Sequence, residues 1–318
     1  MVGARIARQG LGPYVARDLH AAGVEVACLL GTSERSVEEA RAQLRERGVE
    51  ARGYTDANRM LRRESLDALA ILSPAETHER YLRAALEAGL HVLCEKPLVW
   101  GGADPALRAR EIVAEYRRAE LLLAENCQWP FALDAFERLH PGVLDAGAGS
   151  FEMWLTPTST GLRQLVDCLS HPLSLLQALA PREVPRIEAP VFRRLDSPGP
   201  GVSIEFEFHF NDSHLRCVVQ LAKQDTFPRP AGFSINGARA ERRIRLPEYS
   251  MQLSDGTSAV ELDDPLTARL RAFARELGRA CAGGALVDPE PLALRMALLQ
   301  DLVEACRLVL DEPPGLPE

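Results

Sequence analysis

Residues 71–98 read ILSPAETHERYLRAALEAGLHVLCEKPL, from Ile71 to Leu98. Two short apolar runs, Ala68–Leu72 and His91–Cys94, flank an amphipathic stretch, Thr77–Ala88, whose apolar residues recur every three to four positions. That pattern is strand, helix, strand. It continues outward in both directions. Val24–Leu30 and Leu121–Ala124 read as further strands, and Ser36–Arg47 and Pro105–Arg118 as further helices. Gly23, Gly48 and Gly89 stand where such helices should end. Strands that alternate with helices build a parallel sheet covered on both faces. The first part of the chain is therefore expected to be α/β, a doubly wound parallel sheet over residues 1–123.

After about residue 125 the texture changes. Phe151–Pro157 is strand-like and Leu162–Leu179 is helical. Val202–Phe210 alternates apolar with polar residues, the mark of a half-buried antiparallel strand. His214–Leu221, Phe233–Ile235, Ala240–Leu246, Ser250–Leu253 and Ser258–Leu262 continue as short strands, and helices over 265–282 and 288–310 close the chain. Residues 124–318 are expected to form an α+β domain with one large, open, mostly antiparallel sheet that serves substrate binding and oligomerisation.

Composition narrows the function. With 37 basic and 45 acidic residues the net charge is −8, which argues against a partner bound by neutralising phosphates, as nucleic acid is. No apolar run reaches the ~18 residues that span a bilayer, and Arg5 and Arg8 interrupt any signal peptide. A cytoplasmic protein that acts on a small molecule is expected. Seven scattered cysteines without a C-x-x-C spacing suit a reducing compartment and give no metal site. Only two of the basic residues are lysines, Lys96 and Lys223. A chain that uses arginine wherever a positive charge suffices keeps lysine where a compact ammonium is needed.

A dinucleotide signal is expected at the first strand-to-helix turn, G-x-G-x-x-G. The sequence there is Ile6-Ala7-Arg8-Gln9-Gly10-Leu11-Gly12-Pro13-Tyr14, a poor match, with Gly10, Leu11 and Gly12 as the turn candidates. Arg5 also stands where the first strand needs an apolar residue. At the end of the second strand, Leu30-Gly31-Thr32-Ser33-Glu34-Arg35-Ser36, Thr32, Ser33 and Arg35 suit a 2′-phosphate. NADP is expected over NAD, although Thr32 or Ser33 could equally cap the next helix.

The run from Ile71 to Leu98 resembles the glucose-fructose oxidoreductase/inositol dehydrogenase (Gfo/Idh/MocA) family at nearly every place. The resemblance implies a Rossmann-type cofactor domain. It places Ser73, Pro74, His78, Glu95, Lys96 and Pro97 at the carboxyl edge of the sheet with the cofactor, and Lys96 beside the nicotinamide and the substrate hydroxyl. A second family element, D-x-x-x-H, is Asp167-Cys168-Leu169-Ser170-His171. Its i, i+4 spacing puts carboxylate and imidazole on one helix face. A histidine there can exchange the alcohol proton while hydride passes to or from the substrate carbon. Asp167 would orient His171 or the substrate, and Lys96 would polarise the oxygen. Ser174 and Pro172 depart from the usual pattern, which puts the substrate in doubt more than the proton chemistry. Asn126, Gln128 and Trp129 match the family's interdomain segment and either line the substrate cleft or act as a linker. The family commonly pairs through its open sheet, which implies a homodimer or homotetramer.

The implied reaction is NAD(P)-dependent hydride transfer on a sugar- or polyol-like alcohol or carbonyl. Two alternatives stay open. Leu29–Ser36 is similar to the matching segment of thiazolinyl imine reductases of siderophore synthesis, so the substrate could be an imine. The poor glycine turn also allows a non-catalytic binding or assembly protein.

Overall fold

A computed structural model describes residues 1–4, 11–180, 184–196, 199–211, 213–246 and 249–310. The chain divides into two compact units, Met1–Asn126 with Leu266–Ala293, and Cys127–Pro265 with the chain from Leu294. Among the described residues no helix is long and apolar enough to cross a membrane.

The first unit is the expected parallel sheet. Its strands are β1 (Cys28–Leu30), β2 (Arg52–Tyr54), β3 (Ala68–Ile71), β4 (His91–Cys94) and β5 (Leu123–Glu125), all paired in parallel. Val2 joins the two groups by bridging Leu30 on one side and Ile71 on the other. Its N–H donates to Ala70 O at 2.8 Å and its carbonyl accepts from Leu72 N at 2.9 Å. The resulting order, β2-β1-Val2-β3-β4-β5, is the doubly wound one. The helices are α1 (Gly12–Ala21), α2 (Glu34–Arg45), α3 (Ala57–Arg63), α4 (His78–Glu87) and α5 (Pro105–Arg118). Their starts are chemically marked. Ser33 and Ser36 form a reciprocal capping box on α2, and Asp104 caps α5, accepting from Leu107 N at 2.9 Å with Pro105 behind it.

Three features of this unit differ from the sequence reading. The strand expected over Val24–Leu30 is only three residues long, because Val24 N is still donating to Leu19 O at the end of α1. β2 and α3 were not expected. β2 is a three-residue edge strand with Arg52 and Gly53 exposed, too short and too polar to show a period. The third difference is the membership of α9 (Pro265–Cys281), which falls in the residues the sequence reading gives to a second domain beginning at 124. Leu266, Leu270, Phe273 and Leu277 of α9 are buried in one cluster with Val15, Leu29, Val37, Leu44 and Leu93. An apolar stripe at that spacing packs where an apolar surface waits for it.

The second unit carries an eight-stranded sheet: β6 (Ser150–Leu155), β7 (Arg186–Leu195), β8 (Gly201–Phe210), β9 (Ser213–Ala222), β10 (Ala231–Ile235), β11 (Ala238–Arg245), β12 (Ser250–Ser254) and β13 (Ala259–Leu262). The order is β13-β12-β11-β10-β6-β9-β8-β7, and only β6–β9 is parallel. A 3₁₀ turn (Trp129–Ala132), α6 (Leu133–Leu139), α7 (Leu162–Cys168) and α8 (Ser170–Leu179) pack in this unit, as does α10 (Glu290–Leu310) from Leu294 on. Phe233 of β10 anchors the packing, with Phe136 at 5.1 Å and the edge of Trp129 at 6.0 Å between ring centroids.

β7 and α6 escaped the sequence reading. β7 is an edge strand, mostly exposed, with a register shift between Glu188 and Val191 around Pro190. Polar edges, bulges and proline are the devices that blunt an edge strand, and they also erase its alternation. The single helix expected over Leu162–Leu179 is interrupted at Leu169. Pro172 has no N–H to offer the Cys168 carbonyl, so the ladder loses one rung there.

Candidate active site

In the first unit the parallel strands all point their carboxyl ends to one edge. Gly3, Gly31, Ser73, Glu95, Lys96 and Asn126 follow those ends. Asn126 N donates to Cys94 O at 2.7 Å and Glu95 N to Ile71 O at 2.8 Å, so neighbouring strand ends stay in step.

The glycine turn begins earlier than expected. The first strand is at Met1–Gly3, and the turn begins at Gly3, with φ +77°. A Cβ there would stand 2.6 Å from Leu72 O, and one on Gly12 would stand 2.4 Å from the Ala4 carbonyl carbon. These are the first and last tasks of a dinucleotide turn: a tight exit from the strand, and close packing of the helix on it. Gly3 thus joins Gly12 of the expected set at the two described ends of this segment. The intervening turn is longer than in G-x-G-x-x-G, so its spacing hid it. Gly10, with Arg5, Ala7 and Gln9, lies outside the described residues. Leu11 opens α1, its carbonyl accepting from Val15 N at 2.9 Å, and its side chain packs on the core. Glycine is needed at both places because the neighbouring backbone leaves no room for a Cβ.

At the end of β1, Thr32, Ser33 and Arg35 are exposed. The Ser33 hydroxyl accepts from Ser36 N, so it does cap α2, and Arg35 donates to Glu39 at 2.8 Å. Glu34, the acid of this segment, accepts from the Thr55 hydroxyl at 3.2 Å.

The Ser73–Pro97 region closes on a histidine. His78 is fully buried, with Nδ1 2.9 Å from Pro97 O and Nε2 2.7 Å from Ser73 O. Both partners are carbonyls, so the ring sits between the loop after β3 and the loop after β4 and donates to one or the other according to its tautomer. The Ser73 and Thr77 hydroxyls are 2.6 Å apart, Pro74 is exposed, and the Lys96–Pro97 peptide is cis. Lys96 is half-buried on the loop after β4. Glu95 beside it accepts from the Asn126 side-chain amide. Burial raises the Glu95 carboxyl above the usual carboxylate range, while the Lys96 charge and the Asn126 amide pull it back. Asn126 is itself fully buried, with Oδ1 lacking a hydrogen-bond partner among the described residues. Arg269 of α9, 7 % exposed, donates to Glu125 O at 3.0 Å and steadies the end of β5.

In the second unit Asp167 lies in the last turn of α7 and His171 in the first turn of α8. The helix break leaves Leu169 in helical geometry, φ −66° and ψ −22°, so the i, i+4 relation survives it. Both residues are half-exposed, while Cys168, Leu169 and Ser170 between them are buried. They share a face, as the spacing required. Arg163, one turn earlier, donates to Asp167 Oδ1 at 2.8 Å. The stripe is thus Arg163, Asp167, His171. Behind it, Ser174 Oγ donates to His171 O at 2.8 Å, Cys127 Sγ to Ser170 O, and buried Arg295 donates to Gln177 Oε1 at 2.8 Å. Gln128 is half-buried, but Trp129 is 6 % exposed with its edge on Phe233. That ring is a packing element of the unit.

Residues 1–126 match the family described as "Oxidoreductase family, NAD-binding Rossmann fold". These residues are a Gfo/Idh/MocA-family domain. The Gfo/Idh/MocA match ends where the first unit's continuous part ends. A dTDP-3,4-didehydro-2,6-dideoxy-alpha-D-glucose 3-reductase from Streptomyces violaceoruber is 29% identical over 87% of this chain and 87% of its own. Inositol 2-dehydrogenase from Klebsiella pneumoniae is 38% identical over 33% of this chain, which spans 30% of that relative. The inositol dehydrogenase homolog from Azotobacter vinelandii, solved with NADH and myo-inositol, aligns over 96% of this chain and 94% of its own, with TM-score 0.66 and 17% identity. That likeness establishes the fold, and the match over residues 1–126 makes this part an NAD-binding Rossmann domain of an oxidoreductase family.

Gly3, Arg163 and Arg269 were not found from sequence. Arg163 had a signal, its i, i+4 spacing to Asp167. Gly3 had one too, in Val2-Gly3-Ala4 directly after an apolar start.

Proposed function

We propose that the chain is a dehydrogenase or reductase of a sugar- or polyol-like alcohol or carbonyl, with NADP(H) preferred. The observation that carries this reading is Lys96, half-buried at the end of β4 on a loop restrained by His78, inside a family cofactor domain. The bound nicotinamide supplies or accepts the hydride. Lys96 donates to the substrate oxygen and stabilises the negative charge that develops on it. His171 exchanges that oxygen's proton, giving it in reduction and taking it in oxidation. Asp167, held by Arg163, keeps the carboxylate at a defined place one turn from the imidazole. Glu95, Asn126 and His78 position the Lys96 loop.

The preference for NADP(H) rests on exposed Thr32 and Arg35 and on Glu34 being engaged by Thr55. The Streptomyces relative is named a 3-reductase of a dTDP-linked sugar, which favours a keto-sugar carbonyl. A cytoplasmic setting fits seven free cysteines, six of them buried. A homodimer through the open face of the eight-stranded sheet fits Trp154 there, with the Arg239 guanidinium 3.8 Å from its ring centroid.

The test is a titration of the purified protein with NADPH and NADH, followed by turnover of a keto-sugar and polyol panel against a cyclic-imine panel. Binding of NADPH ahead of NADH, with turnover in the sugar panel, is expected. No binding of either cofactor at millimolar concentration rejects the oxidoreductase reading and leaves the binding-protein alternative. Turnover confined to the imines replaces the substrate class.

A further inference from the structure

Two arginines of the second unit lie near one another on one end of the β10–β11 pair. Arg242 lies on β11 directly opposite Ala231 of β10. Ala240, two residues before it, is fully buried, so Arg242 belongs to the sheet face that carries Phe233 and the 3₁₀ turn. Its guanidinium carbon is 5.5 Å from the centroid of the Trp129 ring. Its Nε is buried without a hydrogen-bond partner among the described residues. Arg229, half-buried, enters β10 two residues ahead of Ala231, so the register brings it to the same end of the β10–β11 pair. Neither arginine forms an ion pair among the described residues. Burial lowers the affinity of the Arg242 guanidinium for its proton, and the charge of Arg229 acts in the same direction, with Tyr249 and Asp264 opposing.

Buried Arg269 and Arg295, by contrast, are each satisfied by named acceptors. Two like charges held together at a half-buried site, one with an unused N–H, are costly unless an anion completes them. A guanidinium fork over an aromatic face is well made for a carboxylate or phosphate. The place suits a substrate. Trp129, which underlies Arg242, is two residues from Cys127, and Cys127 Sγ donates to Ser170 O next to His171.

We propose that Arg229 and Arg242 bind an oxyanion carried by the substrate, which makes the substrate an anionic sugar, either a sugar phosphate or a uronate, and not a neutral polyol. The proposal rests on the oxidoreductase reading above, which supplies the site that the anion would serve. Arg242 fixes the oxyanion with its planar fork, and Arg229 closes over it from the loop before β10.

Two measurements test it on the full chain with NADPH saturating, so that the cofactor's own phosphate site is filled. The first is calorimetric titration with inorganic pyrophosphate and, separately, with glucuronate. Binding of at least one is expected, weakened tenfold or more in Arg242→Gln and in Arg229→Gln and unchanged in Arg243→Gln, an exposed neighbour. Arg242→Lys, which keeps the charge, should recover part of it and guards against a merely unfolded variant. The second is turnover of a neutral polyol, a uronate, a sugar monophosphate and a nucleoside diphosphate sugar. An anionic member is expected to lead in kcat/KM by tenfold or more, and Arg242→Gln to raise KM for it alone. Equal binding by wild type and both variants overturns the proposal, as does a neutral polyol that leads the panel. If nothing turns over but pyrophosphate or glucuronate binds through the two arginines, the anion site stands and the oxidoreductase reading fails.

Discussion

Lys96 is one of two lysines in a chain with 37 basic residues, and its neighbours explain what it can do. Buried His78 lies between the carbonyls of Ser73 and Pro97, within hydrogen-bond distance of each, and restrains the loop after β4. Replacing Lys96 by Met removes an oxyanion donor and should lower kcat about 10²–10³-fold. NADPH affinity, read by fluorescence titration, should stay within a few-fold; a fall in turnover of less than fivefold leaves Lys96 outside the reaction. For His171→Gln a loss of about 10²–10⁴ is expected, with one limb of the pH–rate profile gone. Glu95 makes a prediction of the opposite kind. Burial raises its carboxyl above the unfolded value, so the folded protein holds the proton more tightly than the unfolded chain does. Stability from this group is present at low pH and falls as pH rises through the raised value. Glu95→Gln should therefore melt above wild type near neutrality, with the gap closing as pH falls toward 4.5, the ordinary value. A gap that widens on acidification contradicts the assignment. The place of Lys96 just after β4 and the shared helix face of Asp167 and His171 were legible in the sequence because each sits in a short pattern with fixed spacing. Gly3 was not, because its partner Gly12 is nine positions away and the familiar turn sets them five apart.

At the scale of elements, the best-read pieces are those whose burial is one-sided. β8 and β9 alternate cleanly because one face packs and the other does not. β7 could not be read, since an edge strand with Pro190 at its bulge buries little on either side. The break at Leu169 was readable in part from Pro172, but only coordinates tell that Leu169 keeps helical dihedrals and leaves Asp167 and His171 on one face. The α1 entry gives the sharpest element-level test. In Gly3→Ala the new Cβ meets Leu72 O, at a backbone angle that L residues avoid by about 1–2 kcal/mol. A fall in Tm of at least about 2–4 °C follows for a unit of this size. Gly12→Ala drives α1 off the Ala4 backbone, and NADPH affinity should drop tenfold or more. Retention of full affinity by both variants moves the cofactor turn elsewhere.

On the scale of the whole molecule, the first unit is discontinuous. The family match covers residues 1–126, yet α9 supplies Leu266, Leu270, Phe273 and Leu277 to the same core. Sequence patterning found α9 as a helix but could not say which apolar surface it would cover, since an amphipathic stripe does not name its partner. Phe273, 2 % exposed, should cost about 3–5 kcal/mol when cut to alanine, read by chemical denaturation together with loss of NADPH binding. A fragment ending at Asn126 should bind a hydrophobic dye and lack cofactor affinity; a fragment that binds NADPH as the full chain does refutes the role given to α9. The same arrangement has a consequence during synthesis. The ribosome must make residues 127–265 before α9 can emerge, which at about 5–20 residues per second is a delay on the order of ten seconds. For that interval the nascent cofactor sheet has an uncovered apolar flank. It is then a natural client for chaperones, and rare codons placed before Pro265 would lengthen its exposure.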